Sequence, residues 1–248
     1  MSTRLALWKK EAQDAASKEA HVKAGYLADF ILGSQDGLVN VLGVILGIAI
    51  ASRDLTVILA GGLAATFAES ISMGAVAYTS TLARRDHYLS EREREKREMD
   101  EIPHVERLEV REILERWGFE GPELEEMTDR IVSKPKAWLE LMMAHELFLA
   151  PVEKTQARRS AIVVGLAAIV GSLIPLVPFL FIGEATILWG IVAALVVSAI
   201  TLFVVGWFKA RVTVGQPYRS GLQMVLIGIA SAVAGFGVAY LVSGGLSA

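Results

Sequence analysis

Apolar residues along this chain gather into long runs instead of alternating singly with polar ones. Five runs, at residues 27–52, 55–83, 161–182, 185–208 and 221–242, carry almost no charge, and each is about 20 residues or longer, the length an α-helix needs to cross the hydrocarbon layer of a bilayer. They predict five membrane-spanning helices. Only Arg53-Asp54 separates the first two runs, and only Gly183-Glu184 the third and fourth, so each pair must form a tight antiparallel hairpin. Between the second and third runs the pattern changes to densely charged helices. Residues 84–101 hold no Gly or Pro and continue the second span as a charged helix, which Ile102-Pro103 ends. A helix over 104–117 stops at Gly118, a short one follows Pro122 to about residue 131, and a last one runs from Pro135 to about 149, before Pro151. The predicted fold class is all-α: a polytopic membrane protein with five transmembrane helices and a charged helical domain inserted between helices 2 and 3. Its parts are an N-terminal segment (1–25), transmembrane helices 1–2 (26–83), the inserted domain (84–159) and transmembrane helices 3–5 (160–248).

Small residues recur at four-residue spacing in the spans, as in Gly33/Gly37, Gly43/Gly47 and Gly228/Ala232. Such spacing lets helix backbones approach closely. Pro175 and Pro178 remove backbone donors from the third span and predict a kink in it, as fixed packing or as a hinge.

Composition agrees with the pattern: 53% of the 248 residues are hydrophobic, above the 45–50% or so of ordinary soluble domains. Charge is concentrated, with 15 of the 24 Lys+Arg and 19 of the 27 Asp+Glu in residues 84–159. A net charge of −3 without a basic patch argues against nucleic acid as a partner. With no cysteine, thiolate zinc sites and iron–sulfur clusters are excluded, and a metal must sit on O, N or thioether ligands. No resident cofactor is called for. Lys and Arg near the span ends fall almost wholly on the side of the N-terminal segment, the inserted domain and the 209–219 loop; the other side has Arg53 alone. The positive-inside rule places the former in the cytoplasm and the C-terminus outside. Residues 1–24 mix both charges and lack a signal peptide's apolar core, so they read as a cytoplasmic amphipathic helix. The expected location is a prokaryotic inner membrane.

Within the apolar runs stand polar residues that are costly to bury in lipid. Asp36 and Asn40 lie one helical turn apart in the first run, and Glu69 and Met73 repeat that spacing in the second. Residues four apart share a helix face, so each span presents a narrow polar stripe to its neighbour, fit to line an ion path. The plainer alternative is a buried carboxylate satisfied by a nearby hydroxyl or backbone group. In the inserted domain Glu91, Glu95 and Glu98 share one helix face, Glu106 and Glu109 another, and Met142 and Glu146 again stand four apart. Carboxylates gathered this closely either spread into solvent or are held by a cation. Carboxylate oxygens with one thioether suit a borderline ion such as Fe²⁺ better than Mg²⁺ or Ca²⁺. Runs such as Glu91-Arg92-Glu93-Arg94-Glu95 also form solvated faces laced with ion pairs, and a lone Met fills gaps in cores. His21, His87, His104 and His145 show no ligand spacing and read as surface residues.

The strings Asp36-Gly37-Leu38-Val39-Asn40 and Ile71-Ser72-Met73-Gly74, with Glu-rich helices between spans two and three, make the chain resemble the vacuolar iron transporter (VIT) family of divalent metal exporters. The likeness covers nearly everything from Gly33 onward, though Val76-Ala77-Tyr78 stand where the family commonly has Gly-Gly before an aromatic. What the resemblance implies is a homodimer of five-span chains, a metal path between protomers, a cytoplasmic metal-binding domain, and Fe²⁺/H⁺ antiport with Mn²⁺ and other divalent ions accepted by some members. Carried over by motif, the path ligands fall on Asp36 and Met73, and the insert ligands on Glu95, Glu98, Glu106, Glu109, Met142 and Glu146.

Expected partners are therefore divalent cations, protons, the lipid membrane and a second copy of the chain. In the expected mechanism the insert's carboxylates gather Fe²⁺ and pass it to Asp36 and Met73, with Glu69 and Asn40 beside them. Metal and proton compete for carboxylates in a water-poor site, as exchange requires. A manganese exporter is the alternative within transport. From other classes stand a membrane-anchored metal sensor or scaffold and a di-iron oxidase, although the single Glu-x-x-His, Glu101 to His104, has Pro103 through it.

Overall fold

The computed structural model describes residues 24–245, so the amphipathic helix expected over 1–24, with His21, lies essentially outside the described residues. Every described element is helical: α1 Ala24–Ser52, α2 Leu55–Glu101, α3 Pro103–Arg116, α4 Gly121–Val132, α5 Pro135–His145, α6 Lys154–Leu173, α7 Ile187–Val212 and α8 Pro217–Gly245. Two 3₁₀ segments, Ile174–Phe181 and Glu184–Thr186, lead from α6 to α7. Five helices are long and apolar enough to cross a membrane. The described residues form two compact units, one on either side of the 75/76 and 159/160 boundaries.

The apolar unit holds α1, α2 as far as Ala75, α6 from Ser160, α7 and α8. The hairpin between α1 and α2 turns on Arg53, whose φ of 51° places it in the left-handed region. Asp54 then caps α2, its Oδ1 accepting the N–H groups of Thr56 at 2.7 Å and Val57 at 3.0 Å. Along α1, Val41, Leu42, Ile45, Leu46 and Ala49 pack with Ile58, Leu176, Phe179, Ala194 and Ala232 into one core. Close approach depends on small residues. A Cβ at Gly37 would lie 2.5 Å from the Ala168 carbonyl and 2.6 Å from Ser172 Oγ, so this crossing of α1 and α6 admits only glycine. The bundle also turns apolar side chains outward, among them Ile71, Leu188, Trp189 and Val233. In water such a surface would be a liability, and in lipid it is the solvated one.

Pro175 and Pro178 do more than bend the third span. From Ile174 the chain tightens into eight residues of 3₁₀ helix, and Leu176 and Phe179 from that segment are buried in the core. Tightening to i→i+3 bonding lets the chain continue past two prolines that cannot donate.

In the charged unit α3, α4 and α5 each begin with proline in the first turn, where a missing N–H costs nothing. Gly118, with φ of 92°, ends α3 one residue after its cap. Val110, Ile113, Leu114, Leu124, Trp138 and Met142 form its core, against which Met99 of α2 also packs. Outside that core Arg107 clasps α3 to α4, donating from Nη2 to Glu125 at 2.8 Å and to Asp129 at 2.9 Å. Arg111 adds a bond from Nε to Glu125 at 2.9 Å. Trp117 meets His145 edge to face, ring centres 4.9 Å apart.

Candidate metal centres

The α2 tail, α3 and the end of α5 bring Glu95, Glu106 and Glu146 together, and one carboxylate oxygen from each lies within 4.8 Å of the other two. Their local helices explain how. Glu95 faces inward from the α2 tail, Glu106 sits in the first turn of α3 just after the Pro103 bend, and Glu146 caps α5. Burial is severe: Glu95 is 1% exposed and Glu106 3%. One oxygen of each of the three is buried with no hydrogen-bond partner in the structure. A buried carboxylate oxygen without a donor is expensive, and three of them facing one another are more so. Protons or a cation must fill that gap. Burial, with Glu106 beside it, pushes the Glu95 carboxyl well above the usual carboxylate range, and burial likewise raises Glu146.

Two further predicted ligands stand at the edge of this trio. Glu109 is half-buried, and burial with the nearby charges of Glu146 and Glu106 pushes its carboxyl up to about 7. Glu98 adds its own field to Glu95, Glu109 and Glu146, but its Oε2 lies 3.8 Å from Arg94 Nε. Arg94 also pairs with Glu91 at 2.8 Å, which takes Glu91 out of the acidic face, and supplies a countercharge that reaches Glu146. Sequence reasoning did not single out Arg94, although its spacing to Glu91 and Glu98 was a legible signal. Met142, at 0% exposed, belongs to the apolar core beside Trp138, one turn before Glu146. His87, His104 and His145 are exposed.

The spans carry a second polar group. Asn40 Nδ2 donates to Asp36 Oδ2 at 3.3 Å within α1 and to Glu69 Oε1 at 3.0 Å across to α2. One amide thus joins carboxylates from both arms of the hairpin and sets Glu69, expected from its four-residue step to Met73 to line an ion path, in the same polar group as Asp36. Asp36 and Met73 each stand one turn further from the hairpin turn than Asn40 and Glu69. Met73 is half-buried there. An amide offers two N–H donors to four carboxylate oxygens, leaving acceptor capacity that suits a cation or a proton.

Both groups are oxygen-rich, anionic and short of donors, a chemistry for hard or borderline divalent cations. Comparison with known proteins covers most of the chain. The sequence model of the VIT family matches residues 27–240. Vacuolar iron transporter 1 of Eucalyptus grandis is 35% identical over 223 residues, covering 90% of this chain and 89% of that protein. Vacuolar iron transporter 2 of Oryza sativa subsp. japonica is 36% identical over 222 residues, 89% of each chain. The vacuolar iron transporter of Plasmodium falciparum is 29% identical over 217 residues, 85% of this chain and 80% of that protein. With the family's sequence pattern running across all five spans and the charged insert between them, this chain belongs to the VIT family.

Proposed function

We propose that this chain exports divalent metal, Fe²⁺ first and Mn²⁺ as a second cargo, from the cytoplasm across the membrane in exchange for protons, working as a homodimer. Family membership makes it a membrane transporter and not an enzyme. The observation that carries the reading is the joined group of Asp36, Asn40 and Glu69 inside two apolar spans, since a membrane helix retains such residues where ions pass. Glu95, Glu106 and Glu146, with Glu98 and Glu109 at their edge, are the collecting site, and Met142 stands one turn from it. Asp36 and Met73 receive the metal in the path, with Glu69 and Asn40 beside them. Each carboxylate that takes a dication gives up its share of protons, so metal and proton alternate on one set of oxygens. The inserted domain and the N-terminus face the cytoplasm, and a prokaryotic inner membrane is the proposed location; the relatives are vacuolar by name.

The test is flux into liposomes holding the purified full-length protein. Fe²⁺ should move against an imposed proton gradient and stop when the gradient is collapsed; flux indifferent to that collapse removes the exchange. Competition between Fe²⁺ and Mn²⁺ separates the iron from the manganese exporter. Metal binding with no flux at all would favour a sensor or scaffold.

A further inference from the structure

We infer that the seam between α7 and α8, backed by α1, binds a neutral lipid dissolved in the membrane that carries a single hydroxyl group. Two adjoining cavities lie along this seam. The larger, about 400 Å³, is lined by Leu46 of α1, Val196 of α7 and Val233 of α8 among others. Its volume falls within the range of about 300–1,000 Å³ common to small-molecule sites. The smaller, about 10 Å³, adds Leu42, Ser198 and Gly228 and has room for about one water-sized group. Leu195, Ala199, Ile229 and Ala232 line both cavities, so the two share walls on α7 and on α8. From the larger to the smaller the lining steps back one turn on α1, from Leu46 to Leu42, and one turn on α8, from 229–236 to 225–232. Those two helices run parallel here, a Cβ at Gly228 falling 3.7 Å from Val39 and one at Gly235 3.3 Å from Gly43. The small cavity is therefore the next turn of the same groove. Val196 and Val233 are exposed, so the groove opens to lipid.

Ser198 decides what such a lipid must carry. It is 1% exposed, and its Oγ is buried with no hydrogen-bond partner. Other hydroxyls of the spans turn back onto their own helix: Thr66 donates to the Gly62 carbonyl at 2.9 Å, Ser70 to that of Thr66 at 2.7 Å, and Thr201 of α7 to that of Val197 at 2.8 Å. A hydroxyl left unpaired among apolar walls is costly, and a ligand oxygen that reaches it removes the cost. A hydroxyl answers best, because it both donates and accepts as serine does. No Asp, Glu, Lys, Arg or His lines either cavity, so a charged headgroup seated there would stand uncompensated in an apolar site. A plain hydrocarbon fills the groove but leaves Ser198 as it was. One hydrogen bond made away from water sets the preference for an alcohol over the matching alkane at about tenfold.

The test is photolabelling of the full-length protein in nanodiscs with a dodecanol that carries a mid-chain diazirine, followed by peptide mapping and by displacement with 1-dodecanol or dodecane. Label should fall on the α1, α7 and α8 residues of the groove, and 1-dodecanol should displace it at about a tenth of the membrane concentration that dodecane needs. Ser198→Ala should abolish that difference and leave displacement by dodecane as it was. Free of ligand, this variant should melt no lower than the wild type, since it loses an unpaired buried hydroxyl. Val233→Trp, which narrows the mouth of the groove from an exposed position, should weaken labelling and both competitors. Equal displacement by alcohol and alkane in the wild type would make the groove a bed for any acyl chain and overturn the assignment. An alcohol preference that survives Ser198→Ala, label confined to other parts of the chain, or labelling untouched by Val233→Trp would overturn it as well.

Discussion

Replacing Glu106 with Gln removes one charge from the buried trio while keeping its size, and the consequences are opposite for stability and for metal. Two ionised carboxylates at the 4.8 Å limit of this group repel by about 3.5 kcal/mol at an effective dielectric of about 20. Glu106 takes part in two of the three such pairs, so with all three carboxylates ionised its removal would relieve at least about 7 kcal/mol. Protons already retained by the wild type cut the realised gain to about 2 kcal/mol at pH 8, or about 4–8 °C in melting temperature. Glu95 and Glu146 titrate higher in the folded protein than the ordinary value of 4.5. The stability linked to them is therefore fully present below about 4.5 and is lost as pH rises toward their folded values. The advantage of Glu106→Gln should then be clear at pH 8 and shrink toward pH 5. Metal binding to the insert should meanwhile fall at least about 100-fold, near 2.7 kcal/mol. Tryptophan-fluorescence melts of the metal-free protein at both pH values, with calorimetric titration of Mn²⁺, measure both arms. A variant that melts lower than wild type at pH 8, or binds Mn²⁺ equally well, would mean that the three oxygens do not face one another as a cation site, and the reasoning fails.

Asp36→Ala should lower liposome flux at least about 100-fold and leave Mn²⁺ titration of the insert unchanged; near-normal flux would mean that the path runs elsewhere. Asn40→Leu removes the link between Asp36 and Glu69 and should cut flux about tenfold without loss of melting temperature, since an orienting partner tunes a ligand site by about 10–100-fold. Gly37→Ala puts a methyl against the Ala168 carbonyl and Ser172 and should destabilise the bundle by about 1–3 kcal/mol, read as a drop in detergent melting temperature. Arg107→Met breaks the clasp to Glu125 and Asp129; the loss in melting temperature should be small at low salt and vanish at 1 M, because these partners are solvent-screened.

Runs of apolar residues long enough to cross a bilayer, two-residue connections and proline at helix starts are local properties, and from them the five spans, the charged insert and the openings of α3, α4 and α5 were legible in the sequence alone. Local spacing also picked out the acidic residues, because i, i+4 neighbours share a face wherever the helix sits. Convergence is a different matter. Glu95, Glu98, Glu106, Glu109 and Glu146 are alike in spacing, yet only three put an oxygen into the buried cluster. The bend at Pro103 and the cap position of Glu146 settle that choice, through the crossing of three helices. Glu69, which spacing paired only with Met73 in its own run, gained a partner from α1 through Asn40. Sequence fixes which faces are polar, because that depends on one helix; which oxygens meet, and which lose their water, is decided by how helices distant in the chain pack together.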